Sequence, residues 1–238
     1  MAKSANAIDS KSIVRKDLWV QLPPAAPPES DLRPVCRAAP PYPLECVDDR
    51  GLGSAYVYLL GLYLGDGTLA RAPRNVWRLR IFQTRVYTRL VDECIATIRE
   101  VMGGRVGIVH RFGCTEIYSF WKHWICVFPQ HGAGSKHLRR IALEPWQREL
   151  VDRFPRDFLR GLIHSDGCRV TNNVRGAKGD PYAYPRYFFT NHSDDIRELF
   201  VWACGLIGVD CRPNNRWNIS VVNRASVAIL DAFIGPKG

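Results

Sequence analysis

The sequence lacks any apolar run long enough to cross a membrane. Its longest run, residues 55–65, is about half of the roughly 20 residues that a spanning helix needs, and it contains two glycines. The first nineteen residues, MAKSANAIDSKSIVRKDLW, lack the continuous apolar core of a secretory signal. These absences argue against membrane-spanning and secreted proteins. We therefore expect a soluble, cytoplasmic protein with no membrane partner.

Closely paired cysteines are also missing. The eight cysteines form no C-x-x-C motif and follow no regular spacing. In a chain of this length without a secretory signal, this pattern favours reduced thiols over a disulfide framework. His123, Cys126, His131 and His137 lie close together in the sequence. A zinc site built from them is the alternative, although it lacks the close ligand pairs of most structural zinc sites.

Acidic side chains are scarce. The chain has 23 Asp and Glu against 33 Lys and Arg, which gives a net charge of +10 and a pI near 9.4. Such an excess favours a polyanionic partner, with nucleic acid first and an anionic membrane surface second. The hydrophobic fraction of 46% and the seven tryptophans indicate that the chain folds around a core.

Proline is concentrated near the N-terminus. Residues 23–43 hold eight of the sixteen prolines. This segment can form neither a helix nor a central strand, because proline lacks the amide hydrogen and has a fixed φ angle. We predict that residues 1–50 form a flexible, proline-rich tail or linker.

A short motif occurs twice, in VYLLGLYLGDGTL (57–69) and FLRGLIHSDGCRV (158–170). Each copy predicts an apolar helix that ends in Asp-Gly, at Asp66 and Asp166. Gly61 in the first copy and Gly161 in the second share one register, although glycine inside a helix costs about 1 kcal/mol relative to alanine. Small residues at such matched positions allow two helices to approach closely. The repeat therefore predicts that the two motif helices pack against each other through these glycines.

The predicted helix pair would bring Asp66 and Asp166 together. Two adjacent carboxylates repel each other, and helix C-termini add partial negative charge. A divalent cation such as Mg²⁺ would relieve this repulsion. The alternative is that each Asp-Gly pair merely ends a helix and turns the chain, but two copies in matched context favour a shared site.

The segments after each motif follow the same order of strands and helices. Residues 51–150 and 151–238 each predict helix, strand, strand, helix, strand, strand, helix. In 76–84, Trp77, Leu79 and Ile81 alternate with Arg78 and Arg80, which is typical of a half-buried strand. In 216–222, Trp217, Ile219 and Val221 alternate in the same way with Arg216, Asn218 and Ser220. Each sheet should therefore have one apolar face and one basic, polar face.

The segments LLGLYLGDG (59–67) and LRGLIHSDG (159–167) resemble the two signature helices of single-chain, two-motif LAGLIDADG homing endonucleases. The resemblance implies an α+β fold of two αββαββα repeats related by a pseudo-two-fold axis. Two saddle-shaped antiparallel sheets would pack through the motif helices. It also implies a monomeric intron-homing enzyme that makes a double-strand cut in a long, pseudo-palindromic DNA target. Mg²⁺ would be the cofactor, with Mn²⁺ able to substitute.

The resemblance also implies roles for individual residues. Asp66 and Asp166 would hold the metal, assisted by the carbonyl groups of Gly65 and Ser165. Gln83, with Asn191 as its counterpart, would orient a water molecule. The other implied pocket groups are basic: Lys122 as the pocket lysine and Arg224 as its pseudo-symmetric partner. His164 stands where the family has its more internal acid, and we expect a surface or interface histidine there.

Basic and amide side chains on the strands and turns would contact double-stranded DNA. The candidates are Arg71, Arg74, Arg78, Arg80, Arg85, Arg169, Arg175, Lys178, Arg186, Arg216 and Asn218. Two alternatives use the same scaffold: a transcriptional regulator that binds DNA without cleaving it, and a maturase that binds structured RNA. The retention of both motif acids favours the nuclease.

Overall fold

The structure, a computed structural model, describes residues 52–175 and 181–237. The predicted tail, residues 1–50, lies outside the described residues. The first half of the chain contains the elements α1 (Ser54–Asp66), β1 (Gly67–Ala72), β2 (Val76–Thr84), α2 (Thr88–Met102), β3 (Val106–His110), β4 (Cys114–Trp121) and α3 (Trp124–Val127). This order matches the prediction for the first repeat.

The second half repeats the order after one additional helix. Its elements are α4 (Pro145–Arg153), α5 (Pro155–Asp166), β5 (Gly167–Arg175), β6 (Pro181–Thr190), α6 (Asp194–Leu206), β7 (Arg212–Asn215), β8 (Asn218–Val221) and α7 (Arg224–Asp231). The sequence analysis missed α4, which begins with a capping box between Glu144 and Gln147 and has proline in its first turn.

The described strands form two four-stranded antiparallel sheets of matching topology. The first has the order β1-β2-β4-β3 and the second β5-β6-β8-β7. Gly67, directly after Asp66, pairs with Ile81, while Gly167, directly after Asp166, pairs with Phe189. The predicted α+β class with tandem repeats is therefore confirmed, and each sheet begins at a motif acid.

The two motif helices pack closely through their glycines. A Cβ atom added to Gly61 would lie only 2.6 Å from the carbonyl oxygen of Phe158 and 2.8 Å from the amide nitrogen of Leu162. A Cβ atom added to Gly161 would meet the carbonyl oxygen of Tyr58. The backbones of α1 and α5 thus touch where a side chain would keep them apart, and the C-terminal ends of both helices lie together.

Alternation along the strands matches the prediction in the first sheet and only partly in the second. Trp77, Leu79 and Ile81 are buried, with Arg78 and Arg80 on the opposite face. In the second sheet Trp217 is 42% exposed because it lies in the turn before β8, which begins at Asn218. The predicted apolar face of 216–222 therefore starts only at Ile219.

The β5–β6 hairpin has long strands, since β5 continues to Arg175 and β6 begins at Pro181. Proline at the first residue of a strand interrupts no ladder hydrogen bond. None of the described helices is long and apolar enough to span a bilayer.

Candidate active site and polar sheet faces

The two motif acids end their helices side by side. Asp66 is the last residue of α1 and Asp166 the last residue of α5. A Cβ atom added to Gly65 would meet the side chain of Ser165 and lie 2.8 Å from Oδ2 of Asp166. The absence of a side chain at Gly65 is therefore what lets the second carboxylate lie directly against the first helix.

Burial and mutual repulsion disfavour ionisation of both carboxyls. Burial, followed by the charge of Asp166, raises the pKa of Asp66 to about 7. Burial likewise raises the pKa of Asp166, although a hydrogen bond from Asn191 opposes the shift. The pair would release its protons more readily on binding a cation.

An amide side chain contacts each acid. Asn191 Nδ2 donates to Asp166 Oδ2 over 2.6 Å, and Gln83 Nε2 lies 3.5 Å from Asp66 Oδ2. Gln83 comes two residues after Ile81, which pairs with Gly67. Asn191 likewise comes two residues after Phe189, which pairs with Gly167. The structure thus brings Gln83 and Asn191 to matching positions in the two halves.

Two half-buried lysines that the sequence analysis missed cap the helix ends. Lys136 Nζ donates to the carbonyl oxygens of Tyr63, of Leu64 at 3.0 Å and of Gly65 at 3.3 Å. Lys237 Nζ donates to the carbonyl oxygen of Ser165 at 3.4 Å. Burial lowers the pKa of Lys136 to about 7 and also lowers that of Lys237. Each is the first lysine after the short helix that closes its half, and that shared position is the signal that could have identified it.

Lys122 and Arg224, which the resemblance suggested for these positions, are placed elsewhere. Lys122 is exposed and follows Trp121, which pairs with Trp77. This pair lies six residues from the Gln83–Thr115 pair, or about 20 Å along the strand. Because β4 runs antiparallel to β2, the last residue of β4 lies at the end of the sheet that is remote from the acids. Lys122 follows directly and lies at that end too. Arg224 is the exposed first residue of α7, after the end of β8 that pairs with Tyr187.

His164 is a buried structural residue between the two motif helices, so of the two expected placements, surface or interface, the structure has the interface. Its Nε2 donates to the carbonyl oxygen of Ile234 and its Nδ1 accepts from the Tyr58 hydroxyl, both over 2.9 Å. Burial lowers its pKa to about 4. The ring is therefore neutral and held in one tautomer within the core between the two motif helices.

The DNA-binding candidates divide between the two faces of the sheets. We call the side opposite the buried strand residues the polar face; it carries Arg78, Arg80, Glu116 and Tyr118 in the first sheet and Arg186, Phe188 and Asn218 in the second. Arg71 pairs with Trp77 and Arg169 with Tyr187, so both lie on the other side. Arg169 is held there by Asp231, with hydrogen bonds of 2.7 and 2.9 Å.

The remaining candidates lie in turns or outside the described side chains. Arg74 occupies the β1–β2 turn with φ of 61°, Arg85 follows β2, and Arg216 lies in the β7–β8 turn; all three are exposed. Arg175 ends β5, and its side chain is not among those described. Lys178 lies outside the described residues altogether.

The zinc alternative gains no support from the described residues. Across 52–175 and 181–237, no three His, Cys, Asp or Glu side chains are gathered where they could hold a metal ion. The sequence-predicted site at Asp66 and Asp166 would have only oxygen donors: two carboxylates and the neighbouring carbonyl groups of Gly65 and Ser165.

Comparison with solved structures identifies the fold. The homing endonuclease I-WcaI bound to its DNA recognition sequence is 11% identical, covers 85% of this chain and 92% of its own, and superposes with a TM-score of 0.50. A variant of I-DmoI in complex with its target DNA and in the presence of Mn is 17% identical, covers 76% of this chain and 93% of its own, and has a TM-score of 0.50. The LAGLIDADG meganuclease I-AabMI bound to uncleaved DNA is 13% identical, covers 75% of this chain and 82% of its own, and has a TM-score of 0.48.

No protein-family model matches the sequence, and no curated protein matches it. The structural likeness nevertheless spans most of the chain. The chain has the fold of the single-chain, two-motif LAGLIDADG homing endonucleases.

Proposed function

We propose that the chain is a site-specific DNA endonuclease that requires a divalent cation. The observation that carries the proposal is the placement of Asp66 and Asp166 at the touching ends of α1 and α5. Two half-buried carboxylates that disfavour each other's ionisation are arranged unfavourably for stability alone. A cation bound between the two carboxylates together with a phosphodiester would offset this repulsion.

The donor set suits a hard cation. Asp66 and Asp166 would hold Mg²⁺, or Mn²⁺ in its place, through oxygen atoms, and Gly65 and Ser165 offer carbonyl oxygens beside them. Each of these carbonyls accepts one lysine hydrogen bond, which leaves its second lone pair available. When bound, the cation supplies an activated water and stabilises the leaving oxygen of the phosphodiester.

The chain's own polar groups would complete the chemistry. Gln83 and Asn191, already at the acids, would orient a water molecule. Lys136 and Lys237 would face the negative charge that develops on the two scissile phosphates. Because the acid, amide and lysine occur once in each half, each half would cleave one strand of the duplex.

The polar sheet faces would bind the duplex on either side of the cut. We propose that residues 51–150 and 151–238 bind one half-site each within a single chain. The complexes of I-WcaI and the I-DmoI variant with DNA, the latter in the presence of Mn, support a duplex partner and a divalent cation. The two polar faces carry different side chains, so the two half-sites should differ in sequence.

Cleavage of a random duplex library tests the proposal. The wild type, Asp66→Asn and Asp166→Asn should be compared in Mg²⁺ and in EDTA. We expect cutting by the wild type in Mg²⁺ alone, at one recurring site. Sequence-specific binding without cutting would instead favour the regulator, and tighter binding to structured RNA than to duplex DNA would favour the maturase.

A further inference from the structure

One acid is buried on the polar face of the first sheet, among arginines. Glu116 lies on β4, and its side chain has 0% exposure. Its Oε1 accepts from Arg78 Nη2 at 2.7 Å and from Arg80 Nε at 2.8 Å. Its Oε2 accepts from Arg111 Nε at 2.7 Å and from Arg80 Nη2 at 3.2 Å. We call these four residues the Glu116 cluster.

The carboxylate of the cluster is fully occupied by the protein. Burial alone would raise the pKa of Glu116, but the hydrogen bonds from Arg80 and Arg111 outweigh it and hold the pKa below its usual value. Glu116 therefore stays ionised, has no solvent-accessible oxygen and cannot contact a DNA base itself. Any effect that it has on recognition must act through the three arginines.

The arginines keep surface available for a ligand. Arg78 and Arg80 are each 30% exposed in their side chains, and Arg111 is 49% exposed. Arg80 is engaged through Nε and Nη2, which leaves its Nη1 group uncommitted by Glu116. Aromatic rings fix the guanidinium planes further, since Arg78 lies 4.3 Å above Tyr118 and Arg80 lies 4.9 Å from the ring centre of Phe82.

No acid takes the place of Glu116 among the described residues of the second sheet. The pairings Gly67–Ile81 and Gly167–Phe189 place Arg186 at the position of Arg78. In the same register, the strand pair Phe82–Glu116 corresponds to Thr190–Asn218. Asn218 accepts a hydrogen bond from Thr190. The Nε atoms of Arg78 and Arg186 are both buried with no hydrogen-bond partner among the described residues, but Arg78 also donates to Glu116 through Nη2. The two halves therefore present arginine in different ways.

We propose that Glu116 is a positioning residue that presents Arg78, Arg80 and Arg111 as fixed donors to guanine bases in the half-site bound by the first sheet. The inference rests on the proposed DNA recognition. Arginine donates two hydrogen bonds to O6 and N7 of guanine in the major groove, a geometry that requires a correctly oriented guanidinium. An arginine already held by an acid and a ring loses less side-chain freedom on binding.

The position in the sheet favours bases over phosphates as the ligand. Arg78 and Arg80 lie on β2 and Glu116 on β4, the two central strands of the sheet. Hydrogen bonds to a buried carboxylate also restrict the movement by which a free arginine follows the DNA backbone. Loss of Glu116 should therefore release the arginines to phosphates, so that non-specific affinity rises while discrimination falls.

The test is selection of bound duplexes from a randomised library in EDTA, where recognition is measured without cleavage. Glu116→Gln should lower the preference for guanine by roughly tenfold at positions of one half-site and leave the other half-site unchanged. Its affinity for random DNA should depend more steeply on salt, because freed arginines neutralise additional phosphates. Glu100→Gln, on the exposed surface of α2, makes the same change in net charge and should alter no base preference.

Arg80→Lys provides a second variant in case Glu116→Gln does not fold, as judged by thermal unfolding. It keeps the positive charge but removes the planar fork, and it should also lower guanine preference in the same half-site. Uniform weakening in both half-sites, or unchanged guanine preference in both variants, would overturn the role of Glu116 while leaving DNA recognition intact. If the wild type selected no sequence at all, the proposed function would fail as well.

Discussion

Gly61 and Gly161 meet where α1 crosses α5, since a Cβ atom added to Gly161 would lie 2.9 Å from the Cα of Gly61. Carbon atoms do not approach so closely without displacement of one backbone. Replacing Gly161 with alanine should therefore force the helices apart and destabilise the chain by about 3 kcal/mol. For a domain of this size, we expect Tm to fall by roughly 10 °C in thermal unfolding.

Gly205 provides the matched control for this prediction. It also lies in a helix, α6, but an added Cβ atom would meet no other atom within 4 Å. Gly205→Ala should therefore leave Tm unchanged or raise it slightly, because alanine is the better helix former. Equal effects at the two positions would show that the helix pair is not held at contact distance by its glycines.

The acid pair should destabilise the chain when no metal is present. The pKa of Asp66 is raised to about 7 in the folded chain, above its value of about 4 in an unfolded chain. The folded state therefore holds the proton more tightly, and its stability falls as pH rises from about 4 through 7. Asp66→Asn abolishes this loss, so in EDTA it should melt at a higher temperature than the wild type at pH 8 and show a much smaller advantage at pH 4.

Magnesium should reverse the order of the two melting temperatures, so that the wild type melts above Asp66→Asn. Mg²⁺ at pH 8 should raise the Tm of the wild type, because a ligand that binds only the folded state stabilises it, and should raise that of Asp66→Asn far less. Asp152→Asn, on the exposed surface of α4, is the control and should follow the wild type in both conditions. A wild type whose Tm does not respond to Mg²⁺ or Mn²⁺ would contradict a metal site at the two acids.

The positions of the lysines lead to a direct comparison of two variants. Lys136 donates to the carbonyl groups at the end of α1, whereas Lys122 is exposed at the far end of the sheet. Lys136→Met should lower the cleavage rate on the order of 10²-fold, as expected for removal of a half-buried group that stabilises developing charge. Lys122→Met should change salt-dependent binding at most. Single-turnover cleavage at saturating enzyme separates the two effects, and the opposite ranking would restore Lys122 as the pocket lysine.

The parts of the site that lie on regular elements could be predicted from the sequence. The repeated glycines indicated the helix pair, and the Asp-Gly endings located both acids. Gln83 and Asn191 could be found because they lie within one residue of the ends of β2 and β6. Local patterns carry this information, since helix and strand periodicities depend on neighbouring residues.

The remaining parts depend on contacts that have no local pattern. Lys136 and Lys237 follow glycine-containing loops and reach the carbonyl groups at the helix ends only through the packing of the whole unit. The side of the sheet on which Arg169 lies is set by its pairing with Tyr187, because a shift of one residue would turn it to the other face. The role of Glu116 could not be predicted, because an acid on a basic strand face gives no sign in the sequence of which arginines will surround it.

The pH dependence of cleavage should report the proton that Asp66 must lose before it holds a cation. Below pH 7 the carboxyl is protonated, so the rate at low Mg²⁺ should rise by about tenfold per pH unit and level off above pH 7. Lys136, whose pKa is also about 7, acts in its charged form, so its deprotonation would lower the rate above this pH and cannot account for the rise. Because Mg²⁺ competes with the proton on Asp66, higher Mg²⁺ should move the midpoint of the rise to lower pH. A midpoint that stays fixed across a hundredfold range of Mg²⁺ would contradict Asp66 as the source of the rise.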